Sequence, residues 1–364
     1  MLKICHITTV HHQNDVRIFQ KECCSLAREF ETVFLVVNGE NIKKNKVLIK
    51  KVNVSYKTRI TRFIKASIAV YKAALKENAS IYHFHDPEFL PFAKKLKRKG
   101  FKVIYDVHED VPRQILSKYW IPKIVRSIVS ILFEKYENKI AQKLDYIITS
   151  TPFIRERFLK INTNTIDINN FPIIENFNAV NQLNFNAVCY VGSITPIRGI
   201  KENISATKKC GIQINIAGSY SPTNYRNELK KLSGWDSVIE YGQVSTKEIN
   251  KIFKNSFAGL VTLKPIINYV DSLPIKMFEY MAAKLPVIAS NFPLWKTIIE
   301  KNNIGICVDP NSTKEIEKAI NVLINNSELA KEMGERGRKL VEEKYNWQIE
   351  EDKLYNVYRY LESC

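Results

Sequence analysis

Apolar and polar positions along the chain alternate between short β-branched runs and segments with helical period. In the first half this predicts strands at 2–9, 32–37, 81–85, 102–107 and 146–149. The helices expected between them are 17–30, 59–76, 88–99 and a long one over about 122–143. The second half restarts the pattern, with strands at 187–191, 212–217, 237–241, 258–262, 286–289 and 305–308. Strands alternating with helices are the pattern of parallel sheets covered on both faces. Residues 162–185 are Asn-rich, carry Pro172 and lack any period, as expected of a join. The reading is two α/β domains, 1–170 and 186–345, a linker at 171–185, and a closing helix at 346–364.

Some helix starts carry their own caps. Ser245 with Glu248, and Ser312 with Glu315, have the spacing at which hydroxyl and carboxylate each satisfy an orphan backbone donor. Gly192, Gly218 and Gly242 each follow an expected strand of the second half, where ligands of open α/β sheets bind.

The chain has 364 residues, 45% of them hydrophobic, which is ample for buried cores and excludes intrinsic disorder and fibrous repeats. No apolar run reaches the roughly 18 residues of a spanning helix, and the N-terminus reads as a strand where an export signal would be basic and then apolar. A cytoplasmic protein, soluble or peripheral on the inner membrane face, is the expectation. Seven cysteines without CxxC spacing point to reduced thiols, away from disulfide frameworks and zinc fingers. Charge is more specific. The net +18 is uneven, with +15 in residues 1–170 and +3 in the remainder, so one half attracts polyanions.

Three segments carry candidate chemistry. The first, Tyr190-Val191-Gly192-Ser193-Ile194-Thr195-Pro196-Ile197-Arg198-Gly199, is a strand, a glycine turn and a cation, a setting that suits a diphosphate. No GxGxxG or P-loop motif occurs. The second runs from Asp271-Ser272-Leu273-Pro274-Ile275-Lys276 through Glu279 to the apolar run Pro286-Val287-Ile288-Ala289. Ser272 is placed to cap a helix with Pro274 in its first turn, Lys276 adds a charge, and Asp271 and Glu279 stand eight positions apart. The third comprises Ile81-Tyr82-His83-Phe84-His85-Asp86 and Tyr105-Asp106-Val107-His108-Glu109, each with His and acid at the carboxyl end of a strand.

In combination these segments resemble family 4 of the retaining glycosyltransferases, of the type that builds bacterial surface polysaccharides, over nearly the whole chain and including Tyr345-Asn346-Trp347 and the helix after it. The resemblance implies the GT-B fold, two Rossmann-like domains facing across a cleft, with the last helix crossing back to the first domain. It implies that Glu279 binds the nucleotide ribose, that Asp271 meets the donor sugar, and that Gly192, Ser193 and Arg198 lie at the diphosphate with Ser272, Leu273, Pro274 and Lys276. His108 matches the family histidine near the donor sugar. The loop holding His11, Asp15 and Arg17 stands where such proteins carry Gly-Gly and is expected to face the acceptor. Two departures are Asp271 where Glu is usual and Ser193 where Arg commonly follows the Val-Gly. No metal or other cofactor is expected, since such enzymes generally need none and no D-x-D motif appears; the alternative is ligation by His83, His85, Asp86 and His108.

The basic half bears on the acceptor. On a helical wheel Arg59, Arg62, Lys65, Lys72 and Lys76 fall opposite Ile60, Phe63, Ile64, Ile68, Tyr71 and Leu75. Lys94 to Lys99 adds five charges, and Trp120 to Phe133 joins apolar residues to Lys123 and Arg126. Such faces suit an anionic bilayer, and the absence of a nucleic-acid-binding module argues against nucleic acid. The expectation is a glycosyltransferase, hexosyl in type, moving sugar from a nucleotide-diphosphate sugar to a lipid-diphosphate-linked glycan, as in O-antigen, capsule or exopolysaccharide assembly. The alternatives are a sugar-nucleotide epimerase of the same fold and a non-catalytic membrane- or glycan-binding protein.

Overall fold

The structure, a computed structural model, describes residues 2–118 and 121–363, without the side chains of Arg59 and Ile60. Trp120 and those two wheel positions therefore lie outside the described residues. The chain divides into two units, Met1–Asn170 with Gln348–Cys364, and Phe171–Trp347.

The first unit is built on an eight-stranded sheet. Its strands are β1 (Lys3–Ile7), β2 (Glu31–Val36), β3 (Ile42–Lys44), β4 (Val47–Lys51), β5 (Ile81–Phe84), β6 (Lys102–Val107), β7 (Tyr146–Thr149) and β8 (Thr165–Asp167), in the order β3-β4-β2-β1-β5-β6-β7-β8. All neighbours run parallel except the β3–β4 hairpin. That hairpin escapes a pattern reading because β3 is exposed and Lys-rich, and β8 is only three residues inside the Asn-rich stretch. The second unit has a six-stranded, wholly parallel sheet. Its strands are β9 (Ala187–Val191), β10 (Gln213–Ala217), β11 (Val238–Gly242), β12 (Gly259–Val261), β13 (Val287–Ser290) and β14 (Gly305–Val308), in the order β11-β10-β9-β12-β13-β14. In both sheets the strand order reverses beside the first strand, between β1 and β5 and between β9 and β12, which opens a crevice at the carboxyl ends.

Residues 171–185, read from sequence as a linker, fold with the second unit. Phe171, Phe177 and Val180 are buried in its core, Phe171 edge-on to Phe278 with ring centroids 4.7 Å apart. The closing helix, Trp347–Ser363, belongs from Gln348 onward to the first unit, where Glu350 accepts the Asn169 N–H at 2.8 Å and Tyr355 donates to the Ser25 carbonyl at 2.5 Å.

The first expected helix winds as a π-helix over Val16–Cys23 before an α turn, Cys24–Leu26, with Asp15 accepting the N–H groups of Arg17 and Ile18. Ser245 and Glu248 form the reciprocal cap. Ser312 does only half of it, because the Glu315 carboxylate takes the Asp309 N–H instead.

Two helices of the first unit defy the usual inward apolar face. In the helix Arg59–Glu77 the buried row is Ala66, Val70 and Ala74, while Phe63, Ile64 and Ile68 are exposed. In the helix Lys123–Ala141, Ile124 is 90% exposed, and Ile128, Ile131 and Leu132 are exposed beside it. No helix among the described residues is long and apolar enough to cross a membrane.

Candidate functional site

The carboxyl end of β9 turns at Gly192, whose φ of +134° is closed to most L side chains. A Cβ there would stand 2.8 Å from Lys276 Nζ, and one on Gly218, at φ +143°, would overlap the Gly192 carbonyl oxygen. Absence of side chains at both positions leaves backbone room in front of Lys276. The lysine lies in the first turn of the helix Ile275–Ala282, buried, its ammonium 3.8 Å from the centroid of the Tyr190 ring and without a hydrogen-bond partner. Burial, reinforced by the Arg198 charge and opposed by Glu279, holds it well below the ordinary lysine range. Arg198 ends the turn Pro196–Arg198 with its guanidinium 5.0 Å from the centroid of Tyr269. Arg198 Nε, Thr195 Oγ1 and Asn268 Oδ1 are also buried and unpartnered. Two basic side chains with unspent donors around a glycine turn suit an anion with several oxygens.

The first unit gathers its polar groups at the carboxyl ends of β1, β5 and β6. Arg17 is 5% exposed and donates to both Asp106 oxygens, at 3.0 and 2.8 Å, and to the Ile168 carbonyl at 2.7 Å. Burial works against ionisation of Asp106, but Arg17 and His108 outweigh it and hold the carboxyl well below its usual range. Asp106 Oδ2 also lies 3.0 Å from His108 Nε2 and 3.2 Å from His85 Nδ1. Burial keeps His6 and His83 neutral far below their ordinary value and lowers His85 to about 4.

His11 is half-buried, 3.2 Å from Asp15 and 3.5 Å from Asp86. Burial disfavours its charged form, yet Asp15, Asp86 and Asp106 together raise it above the ordinary 6.5. The stability this contributes is therefore full below 6.5 and disappears as pH climbs through the raised folded value. In an NMR titration the His11 ring should titrate above 6.5 and move back toward it in Asp15→Asn; a wild-type midpoint at or below 6.5 rules the pairing out.

With this geometry in view, comparison with known proteins is informative. Residues 3–168 match the family model described as Glycosyltransferase Family 4, and residues 174–340 match that described as Glycosyl transferases group 1. The chain belongs to the group 1, family 4-like glycosyltransferases. The alpha-D-kanosaminyltransferase of Streptomyces kanamyceticus is 28% identical over 177 residues, 47% of this chain and 45% of that protein, so the chain spans about half the length of this curated relative. In fold, the sucrose-phosphate synthase of Thermosynechococcus elongatus matches with TM-score 0.81 at 17% identity, covering 100% of each chain. HepE of Anabaena, solved in complex with UDP and glucose, matches with TM-score 0.75 at 13% identity, over 99% of this chain and 100% of that one. The two α/β units with their parallel sheets are thus of the GT-B kind.

Within this chain the structure brings Gly192, Arg198, Lys276 and Glu279 to one locality, the last within electrostatic reach of Lys276. Ser193 is exposed beside them and its carbonyl accepts the Tyr190 hydroxyl at 2.6 Å. Asp271, Leu273 and Pro274 are half-buried in the loop leading to the Lys276 helix. Ser272 does not cap that helix: its hydroxyl donates to the Tyr269 carbonyl at 2.9 Å, Pro274 occupies the cap position, and no side chain caps it. The loop is held instead by Trp295, whose indole N–H donates to the Ser272 carbonyl at 2.7 Å.

In the first unit, His11 and Asp15 remain partly accessible, whereas Arg17, expected at the acceptor, is spent on Asp106 beneath the surface. Asp86, named among possible metal ligands, instead accepts from the Thr8 hydroxyl at 2.7 Å and the Thr9 N–H at 2.6 Å. Sequence reasoning gave no role to Tyr190, although it stands in the quoted motif, nor to Tyr269; aromatic rings placed before Gly192 and Asp271 were the available signal. His6 and Glu22, also passed over, lie in the strand β1 and the π-helix where nothing local marks them.

Proposed function

We propose that the chain transfers a hexose-type sugar from a nucleotide-diphosphate donor, with retention, to a lipid-diphosphate-linked glycan of the bacterial surface-polysaccharide kind. One observation carries the donor reading: the Lys276 ammonium is buried without a partner against Gly192 and senses the Arg198 charge. A buried unpaired cation is costly, and a diphosphate oxygen is the group that relieves it. The UDP complex of HepE supports a nucleotide sugar as that ligand. In the proposed step the bond from the anomeric carbon to the diphosphate breaks and the acceptor hydroxyl bonds to that carbon on the same face. Its proton passes to the departing phosphate oxygen. Lys276 and Arg198 stabilise the growing charge there, Glu279 holds the ribose, and the proposed catalytic groups His108 and Asp271 sit on different units. The reaction calls on no metal.

The deciding experiment is a thermal-shift panel of UDP-, GDP-, ADP- and CMP-sugars, followed by transfer to a lipid-diphosphate acceptor with assignment of the product anomer. One nucleotide class should raise the Tm, since ligand at about 100 times its Kd stabilises by about 2.7 kcal/mol. No shift with any of the four rejects the donor site, and an inverted product rejects retention.

For the acceptor, the exposed rows Phe63, Ile64, Ile68 and Ile124, Ile128, Ile131, Leu132 on a strongly basic half support peripheral binding to an anionic membrane at the cytoplasmic face. Ile124→Asp with Ile128→Asp should weaken binding to phosphatidylglycerol vesicles by about tenfold or more. Tm should not move, because both side chains are exposed. Equal binding of variant and wild type in a vesicle co-sedimentation assay removes this face from the role.

A further inference from the structure

We propose that the first unit holds a divalent d-block cation in a closed site made by His6, Glu22, His83 and His85. Each of the four is buried, and each offers a ligand atom within 4.8 Å of the others. His6 Nδ1 stands 3.1 Å from His85 Nε2 and 4.0 Å from Glu22 Oε2, and His85 Nε2 stands 3.9 Å from the same oxygen. Four nitrogen and oxygen ligands at about 2.0–2.1 Å from a tetrahedral ion are themselves about 3.3 Å apart, so an ion is seated by closing separations of 3.9 and 4.0 Å, and none above 4.8 Å, to about that value.

Three features mark this as a built site. The ligands sit on rigid backbone, His6 and His83 being register partners in the paired strands β1 and β5. Donor atoms are also left over. Neither Glu22 oxygen nor His83 Nε2 has a hydrogen bond, since the Arg17 Nε that lies 3.0 Å from Glu22 Oε1 gives its hydrogen to Asp106. Lastly, the far nitrogens are held as ligating imidazoles require. His85 Nδ1 meets the Asp106 carboxylate at 3.2 Å, and the Tyr358 hydroxyl lies 2.8 Å from His83 Nδ1 and 3.2 Å from His6 Nε2. An imidazole-rich set with one carboxylate suits Zn2+ among physiological ions. With every position filled by protein the ion is structural: it ties the closing helix, through Tyr358, to the sheet, and takes no part in transfer.

The full chain is unfolded with a chelator, refolded with or without Zn2+, passed through gel filtration, and assayed for bound metal and Tm. Expected are about one ion per chain, a Tm higher by about 5 °C or more with Zn2+, and intense visible bands when Co2+ replaces it. Glu22→Gln and His83→Gln should each retain at least about tenfold less metal, and a substitution at the exposed His12, His12→Gln, as much as wild type. If either of the first two does not fold, the wild-type metal content and Tm difference decide alone. A chain that refolds without metal to the same Tm and keeps less than about 0.1 ion overturns the site, as does Co2+ held equally by the Glu22 and His83 variants.

Discussion

Lys276→Met loses transfer by about 100-fold or more, and its Tm without donor rises. The two effects have opposite sign for one reason. The ammonium is buried, has no hydrogen-bond partner and stands near Arg198, opposed only in part by Glu279, so its charged form is disfavoured while no anion is bound. Methionine fills similar volume without that cost, a gain of about 1–2 kcal/mol and a few degrees. A pH series separates this from mere repacking. Because the folded lysine sits well below its ordinary 10.5, the unfolded chain binds more protons across the interval between the two values. Wild-type stability therefore rises with pH through that interval, and the methionine variant lacks the slope. Whichever nucleotide sugar of the four-member panel raises the Tm of wild type should leave the variant nearly unmoved. Turnover within about twofold of wild type would dismiss Lys276 from the diphosphate site; a lower Tm would show that the ammonium has a partner in the free protein.

Arg17→Ala destabilises the first unit by about 3–5 kcal/mol, enough to cut soluble yield severely. Its guanidinium is the counter-charge to Asp106 and an ion-pair neighbour of Glu22, so truncation leaves two buried carboxylates facing each other. Arg17→Lys keeps the charge but not the two-oxygen grip and should fall between wild type and alanine. Denaturant midpoints measure this directly. An acceptor-facing arginine behaves otherwise, leaving stability alone and raising the acceptor KM. That outcome, with an unchanged midpoint, would return Arg17 to the surface role its sequence neighbourhood suggests.

The contrast between these residues shows where a sequence is readable. Gly192 and Arg198, and likewise Lys276 and Glu279, were legible as candidates because each pair lies in one short contiguous stretch, a strand with its turn and a helix start; only the fold brings the two stretches together. Ser272 was misassigned within such a stretch, since a hydroxyl two positions before a proline can cap forward or bond backward, and only the Tyr269 carbonyl decides which. In the helix Arg59–Glu77 the wheel found the apolar face but not its direction. Small residues, Ala66, Val70 and Ala74, let that helix lie close on its unit's core and leave the larger apolar side chains outside.

What the sequence by itself determined is the α/β order of strands and helices and most strand positions, because hydrophobic period and turn chemistry act over a few neighbours. Tertiary structure alone decided that residues 171–185 belong to a core, that Arg17 is internal, and that His6, Glu22, His83 and His85 converge. Those outcomes depend on which strands become neighbours in the sheet. Pairing of β1 with β5 brings together positions 77 residues apart, a distance over which local pattern carries no information.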